Sequence, residues 1–136
     1  MRVMVDANVL LSAVVFRSAN MLHVLEHASS EGNELLVSSW VIDEVRSVTL
    51  RKWPKRLASI DALLLAMRYE HVVTPPVDEM EADLFEIRDP MDYPILYSAV
   101  IGDADVFVTG DRDFEDVRIG KPEIMSPAEC VRRYPA

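Results

Sequence analysis

The chain has 136 residues and half of them are hydrophobic, so it has the size of one domain and enough apolar residues for a buried core. Its formal net charge of −9 argues against a protein that holds nucleic acid by overall attraction, although bound metal can neutralise acids locally. The single cysteine, Cys130, excludes an internal disulfide and fits a reducing compartment. The sequence has no signal peptide and no apolar run of about 18 residues, so we expect a soluble cytoplasmic protein.

Predicted strands alternate with predicted helices along the chain. This alternation predicts a parallel α/β sheet with helices on both faces. There is no internal repeat or linker, so we expect one domain over residues 1–136. The predicted strands are 2–6, 34–38, 71–76, 106–109 and 123–126, and the predicted helices are 7–16, 18–32, 39–53, 55–70, 78–87, 92–102 and a short C-terminal helix.

Two acids lie at the ends of predicted strands. Asp6 ends the first strand, and Asp111 follows strand 106–109. Ligands of open parallel sheets bind beyond the carboxyl ends of the strands, near the point where the strand order reverses. For either residue alone, a role in a turn or as a helix cap is the commoner case.

The helix at 39–53 adds a third acid. Val41, Val45 and Val48 form one stripe at 100° per residue. Glu44 lies at the border of this stripe and can lean toward the edge of the sheet, whereas Asp43 faces water.

The helix at 92–102 adds a fourth acid, Asp92. A carboxylate here can cap the helix, with Asp89 as a competing choice for the cap, or can point into a site at the sheet edge.

If the four acids converge, each charge raises the pKa of its neighbours, and a divalent cation relieves the repulsion. Ligands that are all oxygen indicate Mg²⁺ or Mn²⁺ rather than zinc, and such a site favours phosphodiester hydrolysis.

Three segments together resemble the PIN domain, and more closely the VapC-like toxins of toxin–antitoxin pairs. They are "VMVDANVLLSAV", "WVIDEV" and "DPMDYPILYSAVIGDADVFVTGDRDF". The resemblance implies a three-layer α/β/α sandwich with a central, mostly parallel sheet. It also implies a ribonuclease that uses one or two Mg²⁺ or Mn²⁺ ions, a cognate antitoxin protein and a homodimer.

The resemblance also assigns roles to residues of this sequence. The family's catalytic and metal-binding acids fall on Asp6, Glu44, Asp92 and Asp111, and Asp92 rather than Asp89 has the spacing of the third. Supporting roles fall on Asn8, Thr109 and Asp113.

One basic run is the only candidate for contacting phosphate in this acidic chain. No acid lies among residues 46–60, and a solvated helix face is the simpler explanation for any single base there. The candidate RNA-binding residues of this run are Arg46, Arg51, Lys52, Lys55 and Arg56.

Three other functions remain open at this stage. A non-catalytic PIN-like binding module would keep the fold without activity. A receiver-type phosphoacceptor would need an acidic pair after the first strand, and a haloacid-dehalogenase-type phosphatase would need Asp-x-Asp. Here the first strand is followed by Asp6, Ala7 and Asn8, which fits both poorly.

Overall fold

Five parallel strands form one sheet in the computed structural model, which describes residues 1–135. The strand order is β3-β2-β1-β4-β5, and every neighbouring pair is parallel. The strands are β1 (Arg2–Val5), β2 (Glu34–Ser38), β3 (Glu70–Val72), β4 (Val106–Val108) and β5 (Glu123–Met125). The helices are α1 (Ala7–Val14), α2 (Ala19–Ala28), α3 (Ser39–Lys52), α4 (Leu57–Ala66), α5 (Tyr93–Ile101) and α6 (Pro127–Arg133).

Helices cover both faces of this sheet, which gives a three-layer α/β/α sandwich as predicted. Neighbouring residues of a strand point to opposite faces of the sheet. Successive residues of β1 and of β4 are buried, so both faces of the sheet are covered. Phe107 of β4 is fully buried and contacts the ring of Phe114 edge-on, with 5.2 Å between the ring centroids. This contact attaches the loop after β4 to the core.

The strand order reverses between β1 and β4. From β1 the chain adds β2 and β3 on one side, then crosses over and adds β4 and β5 on the other. Val5 pairs with Val108, so the two strands end at the same level of the sheet. This is the position where open parallel sheets bind ligands.

Most predicted elements are confirmed with shorter bounds, but the helix predicted at 78–87 is wrong. The segment has only a 3-10 turn at Val77–Glu79. Asp83 has a φ of 62°, which a right-handed helix does not allow. Glu81 is held outside the helical pattern, because its N–H donates to the hydroxyl of Tyr97 and its carbonyl accepts from the hydroxyl of Tyr93.

Two neighbouring serines have different roles at the start of α3. Ser38, not Ser39, caps the helix by accepting from the N–H of Val41. The hydroxyl of Ser39 instead accepts from the N–H of Thr74, at 2.8 Å. No helix within residues 1–135 is sufficiently long and apolar to cross a bilayer.

We expect Phe107→Ala to lower the free energy of unfolding by about 3–5 kcal/mol, since it leaves a cavity under the loop that follows β4. Chemical denaturation followed by circular dichroism measures this loss. The control is Leu65→Ala, because Leu65 is 88% exposed and its truncation should change stability by less than about 0.5 kcal/mol. Equal effects of the two substitutions would contradict the packing described here.

Candidate metal centre

Asp6 lies where β1 ends and α1 begins. Its side chain is 4% exposed, and both carboxylate oxygens accept hydrogen bonds. Oδ1 accepts from the N–H of Ala7 at 2.7 Å, and Oδ2 accepts from the hydroxyl of Thr109 at 2.7 Å. Burial raises the pKa of Asp6 and the charge of Asp111 raises it further, while the hydrogen bonds from Thr109 and Ala7 lower it. The carboxylate therefore has a fixed orientation in a poorly solvated place.

The loop after β4 is joined to Asp6 through Thr109. The hydroxyl of Thr109 donates to Asp6 and accepts from the N–H of Asp111 at 3.0 Å. The N–H of Gly110, which lies between Thr109 and Asp111, donates to Oδ1 of Asn8 at 3.2 Å. Thr109 and Asn8 thus join the segment that carries Asp6 to the loop that carries Asp111.

Glu44 lies on α3, which begins directly at the end of β2. The structure confirms the predicted difference between neighbours, because Asp43 is exposed and Glu44 is partly buried. The Oε2 atom of Glu44 is buried and has no hydrogen-bond partner among the described residues. Burial raises the pKa of Glu44, and the charges of Asp6 and Asp111 raise it further. The carboxylate of Glu44 is therefore electrostatically coupled to Asp6 and Asp111.

Asp92 is 9% exposed, and its Oδ2 atom also has no partner within residues 1–135. The capping role belongs to Asp89, whose Oδ1 accepts from the N–H of Met91 at 2.9 Å. Burial is the largest of the effects that raise the pKa of Asp92 to about 7. The other contributions come from the charges of Asp111, Asp89, Asp6 and Asp113.

The tightest group of acids differs from the predicted four. Asp89, Asp92 and Asp113 each offer an oxygen, and these three oxygens lie within 4.8 Å of one another. No other group of three or more acids, histidines or cysteines in residues 1–135 is this close. Sequence reasoning considered Asp89 only as a rival to Asp92, whereas the structure places the two together.

A hard divalent cation fits this edge of the sheet. Every side chain that could bind it offers oxygen, which is the donor that Mg²⁺ and Mn²⁺ prefer. Two carboxylate oxygens, of Glu44 and Asp92, are buried without a partner, which costs free energy unless a cation or water satisfies them. Burial and like charge together raise the pKa values of Asp6, Glu44 and Asp92, and a bound cation would offset both effects.

The basic run lies along the last turns of α3 and the 3-10 turn Pro54–Arg56. All five bases are exposed. Arg46 forms an ion pair with Asp61, so its charge is already partly neutralised. The others, Arg51, Lys52, Lys55 and Arg56, have no ion pair within the described part of the chain.

Comparison with known proteins identifies the family. Residues 2–113 match the PIN domain. The chain belongs to the PIN-domain family. No curated protein matches it.

Solved structures share the PIN fold of this chain. VapBC2 from Rickettsia felis, bound to a DNA fragment from its promoter, has a TM-score of 0.69 and 20% identity. DNA-bound VapBC from Salmonella typhimurium has a TM-score of 0.66 and 17% identity. Each comparison covers 93% of this chain and 98% of the other.

The raised pKa of Asp92 predicts how the stability of the metal-free protein depends on pH. Between its ordinary value of 3.8 and about 7, the folded protein binds a proton that the unfolded chain has released. The free energy of unfolding therefore falls as pH rises through this window, by on the order of 2–4 kcal/mol. Thermal unfolding in EDTA at about pH 5 and pH 8 measures the change.

Asp92→Asn should reduce this pH dependence and raise stability at the higher pH, because it removes the buried charge. Asp43→Asn is the matched control and should keep the wild-type dependence. The same slope in Asp92→Asn and in wild type would show that Asp92 does not titrate in this range.

Proposed function

We propose that this PIN protein is a metal-dependent endoribonuclease that hydrolyses RNA phosphodiester bonds. The observation that carries the proposal is the pair of buried, unpartnered oxygens of Glu44 and Asp92, at the same sheet edge as Asp6. An uncompensated buried charge is costly, and a bound cation would compensate these two oxygens. The family match and the fold support the same conclusion.

Asp6, Glu44, Asp92 and Asp111 would hold one or two Mg²⁺ or Mn²⁺ ions. When bound, the cation would lower the pKa of a water molecule and stabilise charge on the phosphate oxygens. Thr109 would orient Asp6 and favour its deprotonated form, since its hydroxyl donates to that carboxylate. Asn8 would fix the loop that carries Asp111 through its bond to Gly110.

Asp113 has a supporting role in this proposal. Its N–H donates to Oδ1 of Asp111 at 2.9 Å, so it fixes the orientation of that carboxylate. Its own side chain lies close to Asp92. It therefore adds negative charge beside Asp92.

The exposed bases at the end of α3 would hold the RNA backbone. Arg51, Lys52, Lys55 and Arg56 are concentrated on one short segment, and a PIN protein with a net charge of −9 needs such a local patch to bind a polyanion. Lys52 also lies over the ring of Trp53, at 5.9 Å from its centroid.

We further propose that the chain is the toxin of a toxin–antitoxin pair and acts in the cytoplasm as a homodimer bound by a cognate antitoxin. Its structural relatives are VapBC complexes, which supports a protein partner. Leu65 on α4 and Leu22 on α2 are exposed at 88% and 41%. Apolar side chains exposed on these helices are available for a subunit or partner contact.

The receiver-type alternative has less support. Receiver domains have the strand order 2-1-3-4-5, whereas this sheet has the order 3-2-1-4-5. A non-catalytic PIN-like module remains the alternative. It predicts that neither added metal nor substitution of Asp6 changes the cleavage of RNA.

Asp6→Asn should abolish metal-dependent cleavage of a mixed RNA pool, with a loss of at least about a hundredfold, because the substitution removes a charge that faces the cation. Gel assays with Mg²⁺ or Mn²⁺, beside EDTA, measure it. Asp43→Asn, the matched control on the exposed side of α3, should cleave like wild type. Cleavage by Asp6→Asn at the wild-type rate would mean that the activity lies elsewhere or is a contaminant.

Replacing Arg51 and Lys55 together by Gln should weaken RNA binding and make it less sensitive to salt. Each lost phosphate contact on a single strand lowers the slope of log K against log salt by about 0.7. Binding titrations at several salt concentrations, in EDTA, measure this slope. The control replaces Arg68 and Arg118, which are exposed elsewhere, and an equal effect of both pairs would remove the role of the basic run.

A further inference from the structure

Phe16 is a large apolar side chain in an exposed place. It follows α1 and is 64% exposed, and its ring contacts that of Trp53, with 5.5 Å between the ring centroids. The two rings meet edge-on, at 84°, and an edge-on pair covers at most one face of each ring. Together with its exposure, this contact leaves an aromatic face of Phe16 open to solvent.

The turn after α1 fixes the position of Phe16. Arg17 has a φ of 48°, a left-handed conformation that is costly for a residue other than glycine. The N–H of Ser18 donates to the carbonyl of Ser12 at 3.0 Å, and the hydroxyl of Ser18 accepts from the N–H of Met21. These hydrogen bonds hold the turn, so the fold determines where Phe16 and Arg17 lie.

Each ring of this aromatic pair has bases next to it. Arg17 follows Phe16 directly, and the ammonium of Lys52 lies 5.9 Å from the centroid of the Trp53 ring. The contact between the rings joins the end of α1 to the end of α3, where the basic run lies. The bases that are exposed here and form no ion pair within residues 1–135 are Arg17, Arg51, Lys52, Lys55 and Arg56.

Single-stranded nucleic acid has the chemistry that matches this surface. Its phosphates attract the cations, and its unpaired bases stack on exposed aromatic rings. A base inside a duplex is covered by its neighbours, so stacking on Phe16 requires an unpaired base. A purely apolar protein contact fits less well, because it would bury the cations without partners.

We propose that Phe16, supported edge-on by Trp53, is a stacking platform for an unpaired base of RNA, and that Arg17 binds a neighbouring phosphate. The platform rests on the proposed function, because it would contact the substrate of that ribonuclease. It also goes beyond that function. Asp6 precedes α1 and Phe16 follows it, and a helix of eight residues is about 12 Å long. The base that stacks is therefore separate from the bond that is cut.

Binding of a labelled RNA in EDTA tests the platform apart from catalysis. The probe is a single-stranded RNA of about 12 nucleotides, and the reference is the same ribose-phosphate backbone without bases. Phe16→Ala removes the ring, Phe16→Leu keeps apolar bulk without an aromatic face, and Phe16→Tyr keeps the ring. Leu65→Ala controls for the loss of exposed apolar surface, because Leu65 is 88% exposed.

We expect Phe16→Ala and Phe16→Leu to bind the probe roughly tenfold more weakly than wild type, because both lose the stacked base. Phe16→Tyr and Leu65→Ala should bind it like wild type. The slope of log K against log salt should not change in these variants, because no phosphate contact is lost. Binding of the backbone without bases should also stay unchanged, which shows in addition that the variants are folded.

Arg17→Gln should behave differently from the variants of Phe16. It should lower the slope of log K against log salt by about 0.7, because one phosphate contact on a single strand is lost. Arg118→Gln, which removes an exposed base elsewhere, is the control. An unchanged slope in Arg17→Gln would overturn the role of Arg17.

Binding of the probe by Phe16→Ala or by Phe16→Leu with the wild-type affinity would overturn the platform. Sedimentation shows whether Phe16→Ala changes self-association instead, which would assign the side chain to a contact between protein copies. In either case, metal-dependent cleavage that requires Asp6 would still support the proposed function. If wild type does not bind the probe, the platform is overturned as well, and the absence of cleavage by wild type would overturn the proposed function with it.

Discussion

The parallel pairing of β1 with β4 is the constraint on which the rest of the structure depends. Because Val5 pairs with Val108, the two central strands end together at the point where the strand order reverses. Asp6 and Thr109 follow these ends, and a 2.7 Å hydrogen bond joins them. The same hydroxyl accepts from the N–H of Asp111, so one residue orients an acid on each of two strand ends.

The fold brings acids together at a cost that a cation can remove. Burial raises the pKa of Asp6, Glu44 and Asp92, and the charge of Asp111 raises all three further. A site with these properties favours protonation or metal binding, and the two compete. The proposed enzyme would therefore lose its cation as the pH falls. Burying the ionised carboxylates would cost the most free energy when the cation is absent.

The sequence predicted the sheet, and the deeper burial of Glu44 than of Asp43, because both depend on local patterns. The position of Asp6 and Asp111 follows from short apolar runs that end in acids, and the choice of Glu44 over Asp43 follows from helical periodicity. The grouping of Asp89 with Asp92 and Asp113 was not predicted, because it depends on the path of the loop after β4. The wrong helix at 78–87 has a similar cause, since tertiary hydrogen bonds determine that segment.

The central claim is that carboxylates at the ends of β1 and β4, with Glu44 and Asp92, hold a divalent cation. Crystals grown or soaked with Mn²⁺ and measured at the manganese absorption edge test it most directly. The account predicts an anomalous peak within ligand distance of a carboxylate oxygen of Asp6 or Asp111, on the side that faces Glu44. A well-ordered crystal with no peak at this edge of the sheet, at millimolar Mn²⁺, would contradict the account.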